Sequence, residues 1–128
     1  MAQVRGIGGI FFKSENPDAL YAWYEKHLGI AVQPNVGAMF AWRRADDTLK
    51  EEVTVWSVFP ASTKYFEPSK APFMLNYIVD DLDAMLAQLR AQGVTVDERV
   101  ARSDYGKFGW VTDPDGNRIE LWEAPPSA

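Results

Sequence analysis

One pattern occurs twice in this chain of 128 residues, and it leaves few folds open. Val4–Phe12 reads as a strand, and Asn16-Pro17 then opens a helix, with Asn16 suited to cap it and Pro17 to its first position, where a missing N–H costs nothing. Leu20, Tyr21, Trp23, Tyr24 and Leu28 recur at helical spacing until Gly29, and Trp23 is expected in the core. Segments rich in Val, Phe and Trp follow at 30–32, 38–43 and 52–59, the last two joined by Arg44-Ala45-Asp46-Asp47-Thr48, read as an exposed charged hairpin. After 61–72 the order restarts. Phe73–Val79 is a strand, Asp80-Asp81 caps a helix carrying Leu82, Met85, Leu86 and Leu89 on one face, and Gly93 ends it. Strands are expected at 94–96, 107–112 and 118–122, the last two joined by the turn Asp113-Pro114-Asp115-Gly116-Asn117.

An internal repeat of strand, helix and three strands predicts one α+β domain over residues 1–128. It contains two tandem βαβββ modules, about 4–60 and 73–123, with 61–72 as linker. Their sheets would form one curled mixed sheet around a cavity, with the helices outside. The segment 65–70 is read as part of the linker, with a lid over the cavity as the alternative.

Composition removes several classes of function. Net charge is −5, so nucleic acid and anionic membranes are not expected partners, and the chain lacks a basic–aromatic stripe. It has no cysteine, which excludes disulfides, thiolate nucleophiles and Cys-type zinc sites. Neither a signal segment nor an apolar run of about 20 residues is present, so a cytoplasmic protein is expected. Gly6-Ile7-Gly8-Gly9 opens a strand rather than leading from a strand into a helix, which argues against a dinucleotide fingerprint.

Leu28-Gly29-Ile30, Val79-Asp80-Asp81-Leu82 and, most specifically, Asp113-Pro114-Asp115-Gly116-Asn117-Arg118-Ile119-Glu120-Leu121-Trp122 resemble the vicinal oxygen chelate superfamily, which includes glyoxalases, bleomycin-resistance proteins and extradiol dioxygenases. With the repeat, the resemblance spans nearly the whole chain. It implies the curled two-module fold and a homodimer. It does not fix the function, because the superfamily contains enzymes of several kinds as well as metal-free binding proteins.

In metal-dependent relatives four strand positions supply the ligands. Carried over, these fall near Gly9, Trp56, Met74 and Glu120. Only Glu120 is a usual ligand, and one carboxylate does not hold a divalent ion against water. The single histidine, His27, lies near a helix end. A shift of register by two residues would instead bring Asn76 or Thr54 to the site. No cofactor is therefore expected, with a divalent metal as the alternative.

A carboxylate left unpaired in an apolar pocket is costly. Glu120 would accordingly be a protonated acid, a general base, or an acceptor for an indole N–H, Asn76, Tyr77 or an arginine. It is the candidate catalytic residue. The candidate ligand-binding residues are Trp56, Met74, Asn76, Tyr105, Lys107, Phe108, Trp110 and Trp122, with Phe40 and Trp42 as further neighbours. The expected partner is a small molecule, aromatic or cationic, held in an aromatic-lined cavity. A glyoxalase-type lyase or isomerase, or a dioxygenase, built on Glu120 is the competing reading.

Overall fold

The computed structural model describes residues 2–126. Its elements are β1 (Val4–Ser14), α1 (Pro17–Leu28), β2 (Ala38–Arg43), β3 (Glu51–Pro60), β4 (Phe73–Val79), α2 (Leu82–Ala91), β5 (Thr95–Ser103), β6 (Gly106–Thr112) and β7 (Arg118–Glu123). Both helices begin on the expected caps. The Asn16 side chain accepts from the Ala19 N–H at 3.2 Å, and the Asp81 side chain accepts from the Ala84 N–H at 3.0 Å.

The seven strands form one open mixed sheet in the order β2-β3-β1-β4-β7-β6-β5. Each module places its first and last strands side by side and parallel, β1 with β3 and β4 with β7, and the antiparallel β1–β4 pair joins the two halves. The repeat read from the sequence is thus present, with one difference. Residues 30–32 do not form a strand. Pro34, Asn35 at φ 64° and Gly37 at φ 99° reverse the chain, leaving a single bridge between Gln33 and Gly37. The first module therefore supplies three strands and the second four. In the second module the short strand expected at 94–96 extends over Thr95–Ser103.

Parity along the strands divides the core in two. On the convex face, Trp56, Val58 and Ala38 pack under Leu20, Tyr21 and Tyr24 of α1, while Val111 and Leu121 meet Leu82 and Leu86 of α2. On the concave face Phe11, Phe66, Met74 and Trp110 form a separate buried cluster, with Val55, Phe59 and Phe108 beside it. Trp23, expected in the core, is half exposed on the outer side of α1, because the stripe Leu20-Tyr21-Tyr24 already faces the sheet.

The charged hairpin also differs from expectation. Arg44 is only 4% exposed, and its guanidinium reaches Asp46 at 2.9 Å and Asp80 at 2.8 Å, with buried Glu52 at 3.9 Å. Asp80 precedes α2, so this cluster fastens the first module to the second. Asp80 also accepts from Arg5 at 2.8 Å. The segment between β3 and β4 is no simple tether, since Phe66 within it is fully buried in the concave cluster.

Among the described residues no helix is long and apolar enough to cross a membrane.

Candidate functional site

The turn at 113–117 sets up the site. The Asp113 side chain accepts from the backbone N–H groups of Asp115 and Asn117, both at 2.9 Å, and Gly116 takes φ 83°. The Asn117 side-chain amide also donates to it at 3.0 Å, and this bond, followed by those from the backbone, holds the Asp113 carboxyl below the usual carboxylate range. A turn closed in this way fixes the β6–β7 register, and register decides which side chains share a face. Trp110 stands opposite Glu120, Glu120 beside Asn76, Asn76 beside Gly9 and Gly9 beside Val55. One row thus crosses five strands on the concave face.

Glu120 is 2% exposed, and both of its oxygens are occupied. Oε1 accepts from Asn76 Nδ2 at 2.6 Å, while Oε2 accepts from Trp110 Nε1 at 3.0 Å and from the Tyr65 hydroxyl. Among the alternatives open at sequence level, the arrangement is therefore that of a hydrogen-bond acceptor, as buried polar groups generally require. Burial and the neighbouring carboxylate push the Tyr65 hydroxyl well above the ordinary tyrosine range. Its ring stacks on Phe59 at 5.8 Å and meets Trp110 edge-on at 6.2 Å. Tyr65 and Phe66 thus fold a stretch of the connecting segment onto the sheet.

The structure brings Asn76, Trp110 and Met74 to Glu120 or to the cluster around it. Phe108 and Trp122 stack on one another next to the row, with centroids 6.0 Å apart. It does not bring Trp56, which lies on the convex face under α1, since its neighbour Val55 takes the concave position. Trp42 and Phe40 share the convex parity, and the Trp42 indole donates to Thr54 at 2.8 Å. Lys107 faces α2, where it pairs with Asp83 at 3.3 Å and Glu123 at 3.7 Å. Tyr105 is 77% exposed in the β5–β6 turn and is held there by its backbone, the carbonyl accepting from the Trp122 indole at 2.7 Å and the N–H donating to the Ser103 hydroxyl at 3.1 Å.

Arg99 and Arg118 escaped the sequence reading, and Tyr65 entered it only within the segment 65–70, read as linker or lid and not as a partner of Glu120. The guanidinium carbons of Arg118 and Arg99 lie 5.0 and 5.4 Å from the Trp110 ring centroid. A signal for Tyr65 did exist, in two consecutive aromatics between prolines, a pairing unusual for a solvated linker.

A divalent cation can be tested against this donor set. Of the row's members, Gly9, Val55 and Trp110 offer an ion no side-chain lone pair, leaving Asn76 Oδ1, which is buried without a hydrogen-bond partner, and the Glu120 carboxylate. That carboxylate already faces three hydrogens, where a cation would need bare lone pairs. A side chain at position 9 has no room, since a Cβ there would lie 2.5 Å from the Phe11 ring and 3.1 Å from Asn76 Cβ. Among the described residues no group of three or more His, Asp or Glu side chains is placed to hold a metal. The donors do not fit the ion.

The family model described as Glyoxalase/Bleomycin resistance protein/Dioxygenase superfamily matches residues 6–121. No curated protein matches the sequence. Among solved structures, Streptomyces coelicolor methylmalonyl-CoA epimerase in complex with 2-nitronate-propionyl-CoA is 20% identical with a TM-score of 0.66, covering 97% of this chain and 100% of its own. Methylmalonyl-CoA epimerase from Mycobacterium tuberculosis is 22% identical with a TM-score of 0.61, covering 96% of this chain and 90% of its own. A glyoxalase/bleomycin resistance protein/dioxygenase superfamily member from Vibrio splendidus 12B01 is 14% identical with a TM-score of 0.55, covering 94% of this chain and 97% of its own. These likenesses extend to the fold.

Proposed function

The chain belongs to the Glyoxalase/Bleomycin resistance protein/Dioxygenase superfamily, and on that premise we propose that it binds a small, flat organic molecule on the concave face around Glu120 without using a metal ion. The observation that carries this reading is the state of the Glu120 carboxylate. It is buried among aromatic rings and capped by Asn76, Trp110 and Tyr65. A carboxylate held by three hydrogens is organised to position donors, not to coordinate a cation. Aromatic side chains supply rigid apolar area for a flat ligand. The segment carrying Tyr65 and Phe66 covers this face, so binding there involves its displacement. A metal-dependent lyase, isomerase or dioxygenase built on Glu120 is the competing enzyme reading, and the donor set argues against it.

Elemental analysis of protein purified without chelators tests the metal-free part. Nickel, zinc, manganese and iron are expected to be substoichiometric after dialysis. One equivalent of any of them, lost together with Asn76→Ala and Glu120→Gln, would sink the proposal.

A twofold dimer belongs to the same reading. Between the two helices the convex face leaves Ile7, Ile10 and Phe73 exposed on β1 and β4, an apolar strip suited to burial against a second copy. Light scattering coupled to size exclusion is expected to return twice the chain mass of 14.4 kDa. A monomer at micromolar concentration would contradict it.

A further inference from the structure

We infer that the ligand of this concave face is an organic anion, with an apolar body against the aromatic cluster and a carboxylate facing Arg99 and Arg118; this deepens the binding reading above and rests on it. Net charge argues the other way, since the chain carries 18 acidic against 13 basic residues. The local arrangement decides, because a bound group responds to the charges around it and distant exposed ones are screened.

Two guanidinium groups converge on the Trp110 ring, at 5.0 Å for Arg118 and 5.4 Å for Arg99. The indole edge is already engaged, donating its N–H to Glu120. The one carboxylate in the row is thus satisfied internally, while the two guanidinium groups over Trp110 are paired only in part, through Asp97. Arg118 gives one nitrogen to Asp97 at 3.2 Å, but its Nε is buried with no acceptor. A buried charged donor without a partner is a feature that native structures rarely keep without a reason. Arg99 makes no ion pair among the described residues, although most arginines elsewhere on the chain do. Lys13 lies over the Phe66 ring at 5.4 Å and is likewise without a carboxylate partner among the described residues. The aromatic cluster of a net-acidic protein is therefore bordered by cations. Arginine presents a planar fork of N–H groups, the geometry that matches a carboxylate.

Benzoate and benzamidinium, alike in shape and opposite in charge, separate the possibilities. The intact protein is titrated with each while the indole N–H resonances are followed by NMR, that of Trp110 being assigned with Trp110→Phe. Benzoate is expected to shift the Trp110 resonance, and benzamidinium is not. Arg99→Gln, at an exposed position, is expected to weaken benzoate about tenfold with unchanged thermal unfolding. If benzamidinium shifts the resonance and benzoate does not, or if Arg99→Gln leaves benzoate binding intact, the anionic assignment is overturned while binding on this face stands. If neither compound moves Trp110, the concave site falls and the assignment with it.

Discussion

Phe66→Ala is expected to lower the unfolding free energy by about 3–5 kcal/mol, the range for truncating a buried phenylalanine. The residue lies outside every helix and strand, yet it is fully buried, packed against Phe11, Met74 and Trp110 and 5.2 Å from the Phe59 ring. Truncation leaves a void in the concave cluster and frees the segment that delivers Tyr65 to Glu120. A second readout follows from Tyr65. Burial, and then the Glu120 charge, raise its folded-state pKa. A raised value means that the folded chain holds this proton more tightly than the unfolded chain. The contribution is therefore complete below about pH 10, the ordinary tyrosine value, and is lost as pH climbs above it. Spectrophotometric titration of the parent should hold one tyrosine back until the protein unfolds, and in Phe66→Ala that tyrosine should ionise with the rest. An unchanged urea midpoint would show that the segment does not pack where it is placed.

Arg44→Leu should cost about 2–4 kcal/mol, toward the lower end for a broken buried pair, because Asp46 and Asp80 keep about half of their surface in water. Leucine fills part of the volume but leaves buried Glu52 without its nearest cation, 3.9 Å away. Asp80 retains Arg5 at 2.8 Å, which limits the loss. The pH dependence has a definite sign. Hydrogen bonding to Arg44 is the largest cause lowering the Asp80 carboxyl, and it lowers Asp46 as well. Depressed carboxylates stabilise the fold above their unfolded pKa, near 3.9, and the benefit disappears as pH falls through the folded value. Parent and variant should thus differ most near neutrality and converge in acid. Stability curves that stay parallel down to low pH would show that the Arg44 cluster is not the origin of the difference.

The sequence by itself determined the repeat, the helix caps at Asn16 and Asp81, the turn at 113–117 and, through that turn, the placing of Glu120 on a strand. Each depends on residues close together in the chain, where backbone preference and local hydrogen bonds act without help from the rest of the fold. The strand expected at 30–32 failed for a reason just as local, the reversal through Pro34, Asn35 and Gly37. Which face each strand side chain takes was decided only by the tertiary structure. In β3 a shift of a single residue separates Val55, in the row with Glu120, from Trp56 beneath α1, because alternate side chains point to opposite sides of a sheet. The same holds for Tyr65, which is 55 residues from Glu120 in the chain, and for Arg44, which is 36 from Asp80. Contacts at that range depend on the pairing of the two modules across β1 and β4; the adjacent aromatics at 65 and 66 hint that their segment packs, but nothing local says against which residues.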